Sequence, residues 1–173
     1  MSSNPSALSR EIADYKALFA DRFAELNELL ADLPDAALLW KPFEQSPWKG
    51  PCGSLGWITA HTVSSTVYLL RRAEYAMGRR EWGDVDGDEG REEFGPANHE
   101  LAYLQARVQR VHAYVNEFLD ALQPGDLDAV RAHPARPREF SARRDMLHAL
   151  DHLAQHLGHA QLTRQLWAIE ADE

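Results

Sequence analysis

Three observations predict that this sequence folds as an all-α protein, a four-helix bundle in a single domain. Four long stretches repeat apolar residues at intervals of three and four, the period of an amphipathic helix. Segments rich in proline and glycine separate them, and no stretch competes as a β-strand. The length of 173 residues suits a single domain over 1–173, with an ordered core of about 6–170. Helices that each bury one face pack together as a bundle.

The first predicted helix covers residues 8–33. Its apolar positions follow the helical period at Leu8, Ile12, Tyr15, Phe19, Phe23, Leu26, Leu30 and Leu33. Pro34 ends this helix, and Asp35 is placed to cap a short turn through Trp40. The prolines and glycines that follow predict a loop over residues 41–53.

The second predicted helix begins after Ser54, which can cap its first turn, and runs to about Arg79. From Leu55 to Leu70 it contains no charged residue, unless the imidazole of His61 is protonated. A helix that is apolar around most of its surface is buried. We therefore expect this helix to lie in the centre of the bundle.

One loop separates the second predicted helix from the third, and another separates the third from the fourth. The acidic, glycine-rich residues 81–97 predict an exposed loop, and Asn98 is predicted to cap the third helix. A Gln-Pro-Gly sequence stops that helix, and a proline-rich loop over residues 126–140 follows. Ser141 begins the last helix, which runs to about Glu170.

The acidic composition limits the partners of this protein. Asp and Glu number 27 against 18 Lys and Arg, for a formal net charge of -9. Such a balance repels nucleic-acid phosphates and anionic lipid head groups. The nearest basic patch, between Arg131 and Arg144, contains two prolines and lacks the interleaved aromatic residues of single-strand binders. We therefore expect no nucleic-acid partner and no membrane partner.

Cysteine usage and the N-terminus favour the cytoplasm. Cys52 is the single cysteine, so no intramolecular disulfide forms. The N-terminal residues lack the apolar core of a secretion signal, and no run approaches the roughly 18 apolar residues of a membrane helix. Cys52 precedes a helix N-terminus, where a thiol can act as a nucleophile, although packing in the loop is the favoured interpretation.

The distribution of histidine is the main chemical signal. Four of the eight histidines, His148, His152, His156 and His159, fall within twelve residues of the last helix. At about 100° per residue they occupy an arc of roughly 80°, so they share one side of that helix. His152 and His156, four residues apart, can chelate one cation together.

Such a pair needs a third ligand, because a catalytic metal site usually has three protein ligands and one open position. His61 is the best candidate, since a lone imidazole in an uncharged helix carries a desolvation cost of about 1–3 kcal/mol. Imidazole suits Zn, Ni, Cu and Fe. The alternative is that these histidines are ordinary hydrogen-bonded core residues. Asp151, beside the pair, either orients a ring or faces solvent.

Two segments and the turns before them resemble a known family. Residues 53–61 read GSLGWITAH, and residues 152–166 read HLAQHLGHAQLTRQL. They resemble the two signature helices of the DinB/YfiT-like superfamily of four-helix metalloenzymes. The turn at 33–35 and the segment from Trp40 to Pro42 share the resemblance, which covers almost the whole chain.

The resemblance implies a ligand set for a divalent transition metal, with Zn or Ni expected. The family's ligands are one histidine in the second helix and an HxxxH pair in the fourth, which correspond to His61, His152 and His156. Many members carry glutamine where this chain has His159. That residue is a hydrogen-bonding neighbour of the site or, alternatively, a fourth ligand or a general base. His148 is not expected to be a ligand.

The family includes thiol-dependent transferases and isomerases beside members of unknown role. The resemblance therefore implies a thiol-dependent metalloenzyme that acts on small electrophilic molecules, with a low-molecular-weight thiol as co-substrate. It also implies a homodimer. Three alternatives stay open because a fold does not determine a reaction. They are a metal-dependent hydrolase, a non-catalytic stress-associated protein that binds a small ligand, and an interaction module without a metal.

Weaker signals concern calcium, aromatic and arginine residues. Asp84, Asp86 and Asp88 suggest a calcium loop, but Glu89 and Gly95 stand where an EF-hand needs Gly and Glu, so we reject it. Other side chains could line a substrate pocket or bind the carboxylate of a thiol, although core packing and surface ion pairs are favoured for them. They are Trp40, Trp48 and Trp57 for the pocket, and Arg71, Arg72 and Arg164 for the carboxylate.

Overall fold

The computed structural model describes residues 5–46, 50–87 and 89–171, and it confirms the all-α fold. Four long helices form the bundle: α1 (Pro5–Leu30), α3 (Leu55–Ala76), α5 (Leu101–Asp120) and α6 (Ala142–Ala171). Two short helices, α2 (Asp35–Leu39) and α4 (Glu89–Glu92), lie in the connections. None of these helices is long and apolar enough to cross a membrane.

The core lies between the four long helices. Helix α3 packs most extensively on α6 and also on α5, while α1 closes the bundle against α5 and α6. Fully buried apolar side chains from all four helices fill the centre, among them Phe19, Phe23, Leu26, Leu70, Leu104, Leu119, Met146 and Leu153. Burial of each such side chain contributes roughly 1.5–3 kcal/mol. The apolar first half of α3 is buried, as its composition predicts.

The helix caps agree with the sequence at one position and differ at two. Ser54 caps α3 by accepting a hydrogen bond of 3.2 Å from the Trp57 amide. Asp35 does not cap its own turn; its Oδ1 accepts from the Leu101 amide at 2.8 Å and thereby caps α5. The prediction that Asn98 caps the third helix is wrong, because Asn98 belongs to a separate 3₁₀ turn before α5. A partner distant in sequence provides the cap instead.

Two small antiparallel hairpins correct the expectation that the chain has no strands. Strand β1 (Gln45–Ser46) pairs with β2 (Gly50–Pro51), and β3 (Val130–Ala132) pairs with β4 (Glu139–Ser141). Strands of two or three residues are too short to show an alternating pattern in the sequence. Buried Phe140 anchors the second hairpin to the bundle.

The connection from residue 81 to 97 is more ordered and more enclosed than the expected exposed loop. It contains a 3₁₀ turn (Trp82–Asp84) and α4, which packs on α3. Val85 is 1% exposed, so the connection contributes an apolar side chain to the core. Asp88 of the rejected calcium pattern, like Trp48, lies outside the described residues.

We predict that Asp35→Ala destabilises the protein by about 1 kcal/mol, because the Leu101 amide loses its cap. For a chain of this size the melting temperature falls by about 2–4 °C. Asp14→Ala, which removes the same charge from an exposed position on α1, is the control. Thermal unfolding of both variants by circular dichroism checks the prediction, and equal melting temperatures would contradict it.

Candidate metal centre

Three histidines from two helices converge at the middle of the α3–α6 interface. One ring nitrogen each of His61, His152 and His156 lies within 4.8 Å of the other two. The ring of His61 is 5.1 Å from that of His152 and 4.7 Å from that of His156, centroid to centroid. The four-residue spacing on α6 brings the latter two rings to 4.3 Å. The residues singled out from the sequence therefore come together in space.

Burial keeps two of these rings neutral. The pKa of His152 is lowered to about 4, first by desolvation and then by the neighbouring His61 and His148. Desolvation also lowers the pKa of His156 to about 4, and the adjacent imidazoles add to this effect. A neutral imidazole has a free lone pair, which is the form that binds a metal.

The ring of His61 is oriented by three neighbours. Its Nδ1 lies 2.8 Å from Oε1 of Glu93 and 3.4 Å from the hydroxyl of Ser65. The indole of Trp57 stacks on the ring at 5.3 Å, with the planes 6° apart. A carboxylate that accepts a hydrogen bond from Nδ1–H leaves Nε2 as the ring nitrogen with a free lone pair.

Glu93 is not recognisable from the sequence, because the acidic, glycine-rich residues 81–97 predict an exposed loop. Its side chain is only 14% exposed. No spacing pattern in the sequence connects it with His61, which precedes it by 32 residues. The one available signal was the run of acidic residues from Glu89 to Glu93, which is also typical of a solvated loop.

A buried arginine holds this acidic segment against the bundle. Arg107 on α5 is 0% exposed, and its Nη2 donates to Oε2 of Glu89 at 2.8 Å and to the hydroxyl of Ser64. Its Nη1 donates to Oδ1 of Asn98 at 2.9 Å, and its Nε lies 3.3 Å from a carboxylate oxygen of Glu92. A buried charge requires this degree of compensation.

Asn98 extends the network to the backbone beside Glu93. Its amide donates to the carbonyl oxygens of Glu92 at 2.6 Å, Glu93 at 3.2 Å and Gly95 at 2.9 Å. The side chain is 2% exposed, so these bonds do not compete with water. The buried network thus fixes the backbone from which Glu93 reaches His61.

The donor set fits a divalent transition metal. Three imidazoles suit Zn and Ni, and bonds of about 2.05 Å in tetrahedral geometry place ligand atoms about 3.3 Å apart. The three nitrogens, at most 4.8 Å from one another, exceed that spacing by about 1.5 Å at most. In addition, Nδ1 of His152 is buried and has no hydrogen-bond partner among the described residues. Such a nitrogen costs about 1–3 kcal/mol, which a cation bound to it would offset.

The remaining sequence candidates around the centre lie at its edge. The exposed ring of His159 is 5.3 Å from that of His156, and the exposed ring of His148 is 6.0 Å from that of His152. Within the described parts of the chain, neither belongs to the group that could hold a metal. Asp151 is exposed and accepts a hydrogen bond from Gln155 at 2.9 Å.

A cavity of about 470 Å³ opens beside the centre at the start of α3. Trp57 lines this cavity and also stacks on His61, so the two features share a wall. Cys52 is a half-buried residue of the same wall, and Lys41 provides a cation. Trp40 lines a different surface pocket on the side of α6.

The three arginines proposed to bind a carboxylate have different roles. Arg164 donates to the carbonyl oxygens of Glu28 at 2.8 Å and Ala31 at 3.2 Å, so it closes the C-terminal end of α1. Arg71 donates to the Asp86 carbonyl oxygen at 3.3 Å. Of the three, Arg72 lines a pocket that also contains His148.

We predict that the metal-free protein loses stability as the pH falls from about 6.5 to 4. In this range the unfolded histidines bind protons, whereas His152 and His156 in the folded state stay neutral until about pH 4. Urea midpoints measured with a chelator at pH 7.5 and pH 5 test this. The variant His152→Gln with His156→Gln should show a smaller difference between the two midpoints, and an unchanged difference would contradict the assignment.

The comparison with known proteins agrees with the all-α fold. None of the curated proteins matches this chain. The family profile of the DinB superfamily matches residues 18–160, which include His61, His152 and His156. The match extends from the middle of α1 into α6 and covers most of the chain. The chain therefore belongs to the DinB superfamily.

Proposed function

We propose that this protein holds a divalent metal through His61, His152 and His156 and transfers a low-molecular-weight thiol to small electrophilic molecules. The observation that carries the proposal is the convergence of three ring nitrogens within 4.8 Å at the α3–α6 interface. Two of these rings stay neutral because partial burial and the neighbouring imidazoles lower their pKa to about 4. Zn or Ni suits such a donor set.

The protein supplies the ligands and their orientation. When bound, the metal acts as a Lewis acid that favours the thiolate form of a thiol at neutral pH. Three protein ligands leave a position for an exchangeable group. Glu93 accepts a hydrogen bond from the Nδ1–H of His61, which fixes the tautomer and makes Nε2 of that ring a stronger donor.

The surroundings of the centre favour thiol transfer over a hydrolysis in which Glu93 is the general base. A hydrolase needs a free general base for the attacking water. Glu93, the acid that contacts the ring of His61, is engaged with Nδ1 at 2.8 Å. The cavity beside Trp57, which Leu39 also lines, has room for a small electrophile. A thiolate needs no additional base once it is formed.

Metal content of the untagged protein is the first test. We expect one zinc or nickel ion per chain, which His61→Ala and the double variant His152→Ala, His156→Ala both lose. His148→Ala is the matched control and should keep its metal. If the wild type stays empty after reconstitution with both metals, the interaction-module hypothesis replaces the proposal.

The second half of the same test is thiol consumption by the metal-loaded protein. Bacillithiol, mycothiol and glutathione are each supplied with an electrophile, and the free thiol is measured over time. Loss of thiol that depends on the metal and disappears in His61→Ala supports the transferase. A metal-loaded protein that consumes none of the three thiols supports the non-catalytic ligand-binding hypothesis. If His159→Ala also loses its metal, His159 is a fourth ligand and the fourth coordination position is closed.

We predict that Glu93→Gln weakens metal affinity by about 10–100-fold, because an amide does not stabilise the same tautomer of His61 as strongly as a carboxylate. Competition with a chromophoric chelator measures this affinity. The full stoichiometry should return at saturating metal, since the three ligands remain. Glu100→Gln, at an exposed position before α5, is the control, and equal affinities of the two variants would refute the role of Glu93.

A further inference from the structure

A second pocket lies at the other end of the α3–α6 interface from the Trp57 cavity. Its volume is about 220 Å³, and α3, β4 and the first turns of α6 form its walls. His148 belongs to one wall, and its ring is 6.0 Å from the ring of His152. The pocket is therefore adjacent to the candidate metal centre but does not include its ligands.

A buried ion pair forms the base of this pocket. Nη2 of Arg72 donates to Oδ1 of Asp145 at 2.5 Å, and the two side chains are 11% and 3% exposed. The guanidinium lies 4.8 Å from the centre of the Phe140 ring. This single hydrogen bond leaves Oδ2 of Asp145 and Nε of Arg72 buried without a partner among the described residues. A buried polar group without a partner is unfavourable, so a ligand that satisfies one of them gains affinity.

Two exposed arginines lie at the entrance. Neither Arg138 nor Arg144 has a side-chain ion pair among the ion pairs of the described residues, and both line the pocket. Glu139 is an acid in the same wall, so the entrance carries one net positive charge above the neutral pair at the base. Guanidinium groups bind carboxylates in a bidentate manner, which adds specificity as well as affinity.

We infer that this pocket binds the α-amino carboxylate end of a small molecule, with the ammonium on Asp145 and the carboxylate on Arg138 and Arg144. The base offers an acceptor and the entrance offers donors, so one ligand must carry both charges. A simple anion satisfies the entrance only and meets a carboxylate at the base. The ammonium of the ligand would donate a charge-assisted hydrogen bond to the unpaired Oδ2 of Asp145.

The distance from the pocket to the candidate metal centre sets the length of a ligand that reaches both. Asp145 and His152 are seven residues apart on α6, which is about 10 Å along a helix. An extended thiol with an amino-acid group at one end spans this distance and brings its sulfur to the metal. The identification of this ligand with the thiol co-substrate rests on the proposed function. The pocket's preference for an α-amino carboxylate group does not.

The test uses γ-L-glutamylethylamide, which has a free α-amino carboxylate, a neutral tail and no sulfur. Binding to the metal-free full chain is followed by NMR through the Nε–H signal of Arg72. We expect saturable binding that weakens about tenfold on N-acetylation of the probe, equivalent to about 1.4 kcal/mol. Arg144→Gln should weaken binding of the free probe to a similar extent.

Arg143→Gln is the matched control. Arg143 lies in the same turn of α6 but pairs with Asp128 at 3.0 Å and with Glu11, away from the pocket. Its loss should change the dissociation constant less than twofold. Failure of the probe to bind, equal binding of the acetylated probe, or equal effects of Arg143→Gln and Arg144→Gln would each overturn the inference.

Asp145→Asn assigns the ammonium contact. We expect it to remove most of the difference between the free and acetylated probes, and a retained difference would overturn that contact. If the variant does not fold, the probe pair and Arg144→Gln still decide the inference. Probe binding without any metal-dependent thiol consumption would refute the proposed function alone, and thiol consumption without probe binding would refute only the inference.

Discussion

The fully buried charge of Arg107 is the constraint on which the candidate centre depends. A guanidinium without access to water is tolerated only when acceptors surround it. Its acceptors come from α3, from α4 and from the turn before α5. The acidic connection therefore folds against the bundle. Its last acid, Glu93, consequently reaches the ring of His61.

The α3–α6 interface arranges the chemical groups in a line. His61 meets the histidine pair of α6, whereas Arg72, eleven residues later on α3, meets Asp145, which precedes the pair. The two helices therefore run antiparallel. The Trp57 cavity lies at one end of this line and the arginine pocket at the other, with the candidate metal centre between them.

Features that depend on neighbours in the chain were predictable. The helical period predicts the four long helices, and Ser54 caps α3 because its partner is three residues away. The histidine pair of α6 is likewise a local feature, since residues four apart on a helix share a face. The third histidine was found because an imidazole is costly in an apolar helix. Caps from distant residues, such as Asp35 on α5, were not predictable in this way.

By itself, the sequence determined the all-α class, the order of the helices and the three histidines, because periodicity and residue chemistry are properties of short segments. The tertiary structure decided the partners of these residues. Glu93 contacts His61 only because Arg107 and Asn98 hold its backbone, and the pocket at Asp145 exists only because Arg72 approaches from another helix. The His61–Glu93 and Arg72–Asp145 contacts join residues 32 and 73 positions apart. They follow from the compensation of buried charge, which no local pattern encodes.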